Sequence, residues 1–162
     1  MNELIVYFSS PRLTLRSCAL EDVGWLLELL ADADVAPAFH RLGLSTDAHD
    51  LGLTRLIESA QSGRYLLAGF DALGEAVGVL ALWPDSDGRP WVMLAVCPSY
   101  RRQGYGNEML RAWSHYFQQH SDSTDPVCFF SESVIGRHMA TRAGFQPAVV
   151  GENTAEGYRL PT

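Results

Sequence analysis

The spacing of apolar residues divides the chain into short segments of two kinds. "RLTLRS", from Arg12 to Ser17, alternates apolar and polar positions and predicts a strand. "LEDVGWLLELLADAD" then places Val23, Leu26, Leu27 and Leu30 on one helical face, with Glu21 and Asp22 suited to a first turn. A second helix is predicted from Ser45 or Thr46 to Gly63, carrying Leu53, Leu56, Ile57 and Ala60 inward, and "VAPAFHRLG" between the two reads as a loop. Three strands follow in series, "RYLLAGF", "EAVGVLALW" and "PWVMLAV", joined by the turn-forming links "DALG" and "PDSDGR". Links this short make an antiparallel meander. In "NEMLRAWSHYF" the apolar positions return to helical spacing, with Met109, Leu110, Trp113 and Phe117 on one face of a helix reaching about His120. A short strand "VCFF", a helix "SVIGRHMATRA" ending at Gly144, and a hairpin of "FQPAVV" with "YRLP" complete the order. A strand–helix–strand unit flanked by meanders implies an α/β fold, with a mixed, mostly antiparallel sheet and helices on both faces.

Length and composition narrow the class. The 162 residues contain no internal repeat, low-complexity tract or linker, which predicts one domain over residues 1–162. An apolar share of 47% with both signs of charge is that of a globular chain. Twelve Lys+Arg against nineteen Asp+Glu give a formal charge of −7, which argues against nucleic acid or an anionic membrane as the main partner. The three cysteines, Cys18, Cys97 and Cys128, are too few and too scattered for a disulfide framework or a zinc site. The opening "MNELIVYFSSPR" has no basic leader and no apolar run is long enough to span a bilayer, so a cytoplasmic location is expected.

The chemistry concentrates in one place. "VCPSYRRQGYGNEML" sets two arginines and the glycines Gly104 and Gly106 between an apolar strand and a helix. A glycine bend that opens a helix leaves N–H groups unpaired beside the positive end of the helix dipole, which is an anion site, usually for phosphate. A Walker loop is excluded because no Gly-Lys-Ser/Thr ending is present, and a dinucleotide fingerprint is disfavoured because its third glycine position holds Met109 after antiparallel strands. The five histidines show no metal-ligand spacing, and nothing pairs Cys128 with a base, so neither a metal site nor a thiol nucleophile is expected.

"RRQGYG" resembles the R/Q-x-x-G-x-G/A bend of GNAT-superfamily acyltransferases. The preceding "AVCPSY", the later "RAGF" and the opening "RLTLRSCALEDVGWLLELL" also look like that family's segments, so the resemblance covers nearly the whole chain. It implies acetyl-CoA as co-substrate, direct attack of an amine in a ternary complex, and a peptide or small-molecule amine as acceptor. Arg102, Gln103, Gly104, Gly106 and Asn107 would present backbone amides to the pyrophosphate, with Tyr105 inside the same bend. Either Arg101 or Arg102 would be placed to add a side chain to the phosphates. Leu94, Ala95 and Val96 would offer main-chain groups to the pantetheine arm and the acetyl carbonyl. The family's sheet edges often pair, so a homodimer is compatible with it.

The chain departs from the family's pattern at its acid–base positions. Where members that acetylate protein amino-termini often carry Glu, Asn and Tyr, this sequence has Cys128, Ser133 and Ala140; the other common carboxylate position holds Pro90 and Trp91. Glu132, just past "VCFF", is the first candidate base, although a first-turn carboxylate stabilising the following helix is the simpler account of it. Ser133 is the candidate donor to the departing thiolate or the pantetheine, and as a helix N-cap it needs no such role. Asp85 and Asp87 are explained by turn formation; Phe39, His40, Trp83 and Tyr158 are candidates to line the acceptor slot. Two functions are therefore expected from this pattern: an N-acetyltransferase, or a CoA-binding sensor that has lost catalysis.

Overall fold

A computed structural model describes residues 7–33, 35, 65–84, 90–120, 128–129, 141–142, 146–150 and 155–159. Strands β1 (Tyr7–Ser9) and β2 (Thr14–Ser17) are followed by a 3-10 turn at Leu20–Asp22 and helix α1 (Val23–Leu30). Strands β3 (Tyr65–Phe70), β4 (Ala76–Pro84) and β5 (Pro90–Val96) lead through a second 3-10 turn, Pro98–Tyr100, into helix α2 (Tyr105–His120). β6 (Cys128–Phe129), β7 (Gln146–Val150) and β8 (Ala155–Arg159) follow. The described strands form one sheet in the order β1-β2-β3-β4-β5-β6-β8-β7. Every neighbouring pair is antiparallel except β5 with β6, which are joined through α2 and run parallel, as a strand–helix–strand unit requires.

Side-chain alternation along the central strands builds two cores, one on each face. Leu67, Leu80 and Val92 join Leu13 and Leu15 of the first hairpin under Met109, Leu110 and Trp113 of α2. Their alternate neighbours, Leu66, Val79, Ala81, Met93 and Ala95, pack on the opposite face against Leu26, Leu29 and Leu30 of α1. Helices therefore cover both faces. Fully burying a leucine contributes about 1.5–3 kcal/mol, so this split pattern is the main force holding the layers together. A bulge interrupts it once: Gly69 pairs Gly78 while Phe70 pairs Ala76, leaving Val77 over. The extra residue lets Val77 and Leu80 share the α2 face despite their odd spacing.

The structure goes beyond the sequence expectations at three places. The α1 stripe is Leu26, Leu29 and Leu30, with Val23 and Leu27 only partly buried beside it. Leu26 and Leu30 are buried as the pattern predicts; Leu29, outside that pattern, joins them, and the most deeply buried positions lie toward the C-terminal end of the helix in the same core as Val35. Strand β1, pairing Tyr7 with Arg16, was not anticipated. The last strand also begins earlier than "YRLP", at Ala155. The helix predicted over 45–63 lies outside the described residues, and of "SVIGRHMATRA" only 141–142 are described, as helix.

Asp22 anchors α1 to the sheet. Its buried carboxylate accepts from Arg16 Nη1 (2.8 Å), the Ala19 N–H (2.7 Å) and Trp25 Nε1 (3.1 Å). Burial pushes this carboxyl up, but the three donors outweigh it and hold it below the ordinary carboxylate range. Sequence placed Asp22 in a first turn; it occupies the 3-10 turn before α1 and is 2% exposed.

Candidate functional site

The site begins with the edge of β5. The Cys97 N–H donates to the Val77 carbonyl (2.7 Å), flanking the aligned pair Gly78 and Val96. In an antiparallel ladder this makes Gly78–Val96 a non-hydrogen-bonded pair and Val79–Ala95 a bonded one. The main-chain N–H and C=O of Leu94 and Val96 therefore face away from β4, while those of Ala95 are engaged with Val79. On the far side, β6 aligns with Trp91 and Val92. Among the described residues, no strand covers the edge from Met93 to Val96. Gly78 is required for the close packing behind this edge, because a Cβ there would run into the Ala95 carbonyl oxygen.

Beyond Val96 the chain turns sharply. Arg101 has φ −69°, Arg102 +64°, Gln103 a negative value and Gly104 +81°. Arg101 is extended (ψ 155°), and the opposite φ signs from Arg102 to Gly104 are those found in an anion-binding nest, where successive N–H groups face a common centre. Gly104 adopts its left-handed conformation freely, whereas Arg102 does so at a cost of about 1–2 kcal/mol. Among the described residues the N–H groups of Arg102 through Asn107 find no backbone acceptor; the first helical bond at this end is Glu108 N–H to Gly104 C=O (3.1 Å). These N–H groups lie at the positive end of the sixteen-residue helix α2.

Each predicted bend residue has a definite place. Arg101 turns inward: its Nε donates to the Val96 carbonyl (3.0 Å) and its Nη2 to Asp32 (3.2 Å), tying the end of β5 to the end of α1. Arg102 is exposed. Gln103 donates from Nε2 to the Ser99 carbonyl (3.1 Å), and Gly106 is buried. The Asn107 Oδ1 is buried with no hydrogen-bond partner among the described residues. The Tyr105 ring packs edge-on against Tyr100, with centroids 5.6 Å apart, and lies beneath the Arg12 guanidinium at 4.1 Å. Asp71 accepts from the Tyr100 hydroxyl (2.8 Å), which pushes that phenol up to about 12. Leu94, Val96 and the bend are thus brought together at one end of β5.

Other predicted residues are not all placed. Glu132, Ser133, Ala140, Phe39, His40, Asp85 and Asp87 lie outside the described residues. The backbone of Cys128 aligns with Trp91 and Arg159, that of Trp83 with Trp91, and that of Tyr158 with Phe129. All of these lie toward the end of the sheet away from the bend. Burial pushes the Cys18 and Cys97 thiols above their ordinary range, which disfavours their thiolate forms. Among the described residues, no group of three His, Cys, Asp or Glu residues could hold a metal ion, and no helix is long and apolar enough to cross a membrane.

Sequence reasoning missed the supports of the bend. Arg12, in the β1–β2 turn, donates from Nε to Glu108 Oε1 (2.9 Å) and from Nη2 to the Gln103 carbonyl (3.0 Å). Ser10 Oγ (2.5 Å) and the Arg12 N–H (3.0 Å) both donate to Glu108 Oε2. Burial pushes the Glu108 carboxyl up, but the Ser10 and Arg12 bonds outweigh it and hold it below its ordinary range. These partners are 91 to 98 residues apart in sequence, so no local signal reveals them.

N–H donors opening a helix beside a strand edge that no described strand covers suit a ligand with a phosphate group at one end and amides along its arm. Known proteins point the same way. The family model of the acetyltransferase (GNAT) domain matches residues 61–147, more than half the chain and the part that holds β3–β5, the bend and α2. The fold is similar to that of an acetyltransferase from Agrobacterium tumefaciens (14% identity, TM-score 0.76, covering 100% of this chain and 98% of that one). It is also similar to spermidine N-acetyltransferase from Vibrio cholerae in complex with CoA and spermine (12% identity, TM-score 0.74, 93% and 94% covered). A third similar structure is a GNAT-family acetyltransferase from Bacillus anthracis (13% identity, TM-score 0.69, 95% of each chain). No curated protein matches the sequence. With the strand, bend and helix all inside the matched segment, the chain belongs to the GNAT acetyltransferase family.

Proposed function

We propose that this protein transfers an acetyl group from acetyl-CoA to a primary amine by direct attack in a ternary complex. The observation that carries the reading is the run of N–H groups from Arg102 to Asn107, which lack a backbone acceptor at the positive end of α2. They would hold the pyrophosphate, with Arg102 as the exposed cation beside it. The outward main-chain groups of Leu94 and Val96 would align the pantetheine arm along β5, and acetyl-CoA would supply the activated thioester. The Val96 carbonyl is already bound by Arg101, which leaves the Val96 N–H and the polar groups of Leu94 as the first choices. Arg101, tied to Asp32 as well, would act by fixing the strand end.

A cationic amine is the acceptor class this chain favours. Its net charge of −7 attracts cations in the long-range field, while the bend concentrates N–H donors locally for an anion. The V. cholerae neighbour is named for spermidine and is bound to spermine, which makes polyamines the first acceptors to try. Glu132 remains the proposed base and Ser133 the proposed donor to the leaving thiolate. Attack requires a neutral amine, and an amine of pKa about 10.4 is disfavoured by roughly 4 kcal/mol at pH 7.4, against less than about 1 kcal/mol for one near 8. Positioning and oxyanion stabilisation by a main-chain N–H of the β5 edge would supply the rest of the rate.

An acetyl-CoA assay over a panel of polyamines, amino-terminal peptides and small amines tests the reading. Acetylated amine with stoichiometric free CoA is the expected result. CoA binding without transfer to any amine would favour the sensor instead.

A further inference from the structure

We infer that Arg12, from the β1–β2 turn, is a positioning residue for the phosphate-binding bend: it holds the peptide between Gln103 and Gly104 so that the Gly104 N–H faces the anion. A trans peptide is planar, and its C=O and N–H point in opposite directions. Arg12 Nη2 binds the Gln103 carbonyl oxygen at 3.0 Å, which directs the Gly104 N–H of the same peptide to the other side. The arginine is itself held from three directions. Its Nε binds Glu108 Oε1 at 2.9 Å, its guanidinium lies over the Tyr105 ring at 4.1 Å, and its own N–H binds Glu108 Oε2. Ser10 fixes the second oxygen of the same carboxylate.

The anchor is therefore a carboxylate in the first turn of α2, the helix whose opening N–H groups form the nest. Arginine suits this role because its planar fork reaches a carboxylate with one nitrogen and a carbonyl with another; a lysine ammonium is a single point charge without that fixed fork. Left-handed Gly104 has many peptide orientations available before binding, and fixing one in advance lowers the ordering cost when phosphate arrives.

The inference rests on the reading of the bend as a CoA pyrophosphate site, and the test separates the two. Wild type, Arg12→Lys and Arg12→Met are compared with acetyl-CoA and with S-acetylpantetheine, which has the same thioester but no pyrophosphate. Each variant's fold is checked by circular dichroism and thermal unfolding. Wild type should prefer acetyl-CoA; no preference would mean that the bend does not hold the pyrophosphate, and the inference falls with that reading. If Arg12 acts through the bend, the ratio of kcat/KM for acetyl-CoA to that for S-acetylpantetheine should fall at least fivefold in Arg12→Lys and further in Arg12→Met. The loss should appear in KM for acetyl-CoA more than in kcat. A merely structural role would lower both substrates together and leave the ratio at the wild-type value, and that result in a folded Arg12→Lys protein overturns the inference.

Discussion

Two glycines share one backbone conformation and separate strain from function. Gly104 in the bend and Gly74 in the β3–β4 turn both have φ +81°. A Cβ on Gly74 would meet nothing within 4 Å, and one on Gly104 would meet only Arg12 Nη2, at 3.4 Å. Valine at either position must hold a left-handed conformation that costs an L-residue about 1–2 kcal/mol. In a chain this long, such a loss lowers the unfolding midpoint by roughly 2–8 °C, and the two variants should fall by similar amounts. Their ligand binding should diverge. A hydrogen bond to a charged group contributes about 1.5–3 kcal/mol, so losing one phosphate contact to a distorted bend weakens binding by roughly 10- to 100-fold. Calorimetric titration of both folded variants with CoA measures this. Gly74→Val should bind as wild type does and Gly104→Val at least tenfold more weakly. Equal affinity in the two would refute a role for the bend in holding the ligand.

Removing the Asp22 anchor should act on stability. Asp22→Ala deprives Arg16, Trp25 and the Ala19 N–H of their acceptor, and a loss of about 3 kcal/mol is expected, measured by urea unfolding. The same carboxylate fixes the sign of an acid effect. Its folded pKa lies below the unfolded value of about 3.9, so its contribution is full above that pH and is lost as pH falls through the folded pKa. Thermal melts between pH 5 and pH 2 should show a steeper decline in wild type than in Asp22→Asn. For the chemistry, pH–rate profiles should shift with the pKa of the acceptor amine; a limb fixed near pH 6–7 for every acceptor would identify an enzyme base. In that case Glu132→Gln should lower turnover by roughly a hundredfold or more while CoA affinity is retained.

The parts legible in the sequence are those fixed by local spacing. β3, β4 and β5 read as continuous apolar runs because each is buried on both faces, and the α2 stripe of Met109, Leu110 and Trp113 is buried as its period predicts. The bend was legible as well, since Gly104 stands where the backbone turns left-handed. What was illegible depends on distant partners. β1 is a strand only because Tyr7–Ser9 finds β2, and Leu29 joins the buried face of α1 only through how the helix meets the sheet. Arg12 and Glu108 look like solvated charges until the fold brings them to 2.9 Å. Arg102 gave no sign of its positive φ, because no side-chain pattern marks a left-handed arginine.

The central claim is that the N–H groups opening α2 hold an anionic ligand while the outward edge of β5 holds its arm. Amide chemical-shift mapping of the ¹⁵N-labelled protein during titration with CoA measures both at once. The account predicts the largest shifts, with slowed exchange, at Arg102 through Asn107, and a second group at Leu94 and Val96 that also appears with pantetheine alone. Saturable CoA binding that leaves the Arg102–Asn107 amides unmoved would contradict it.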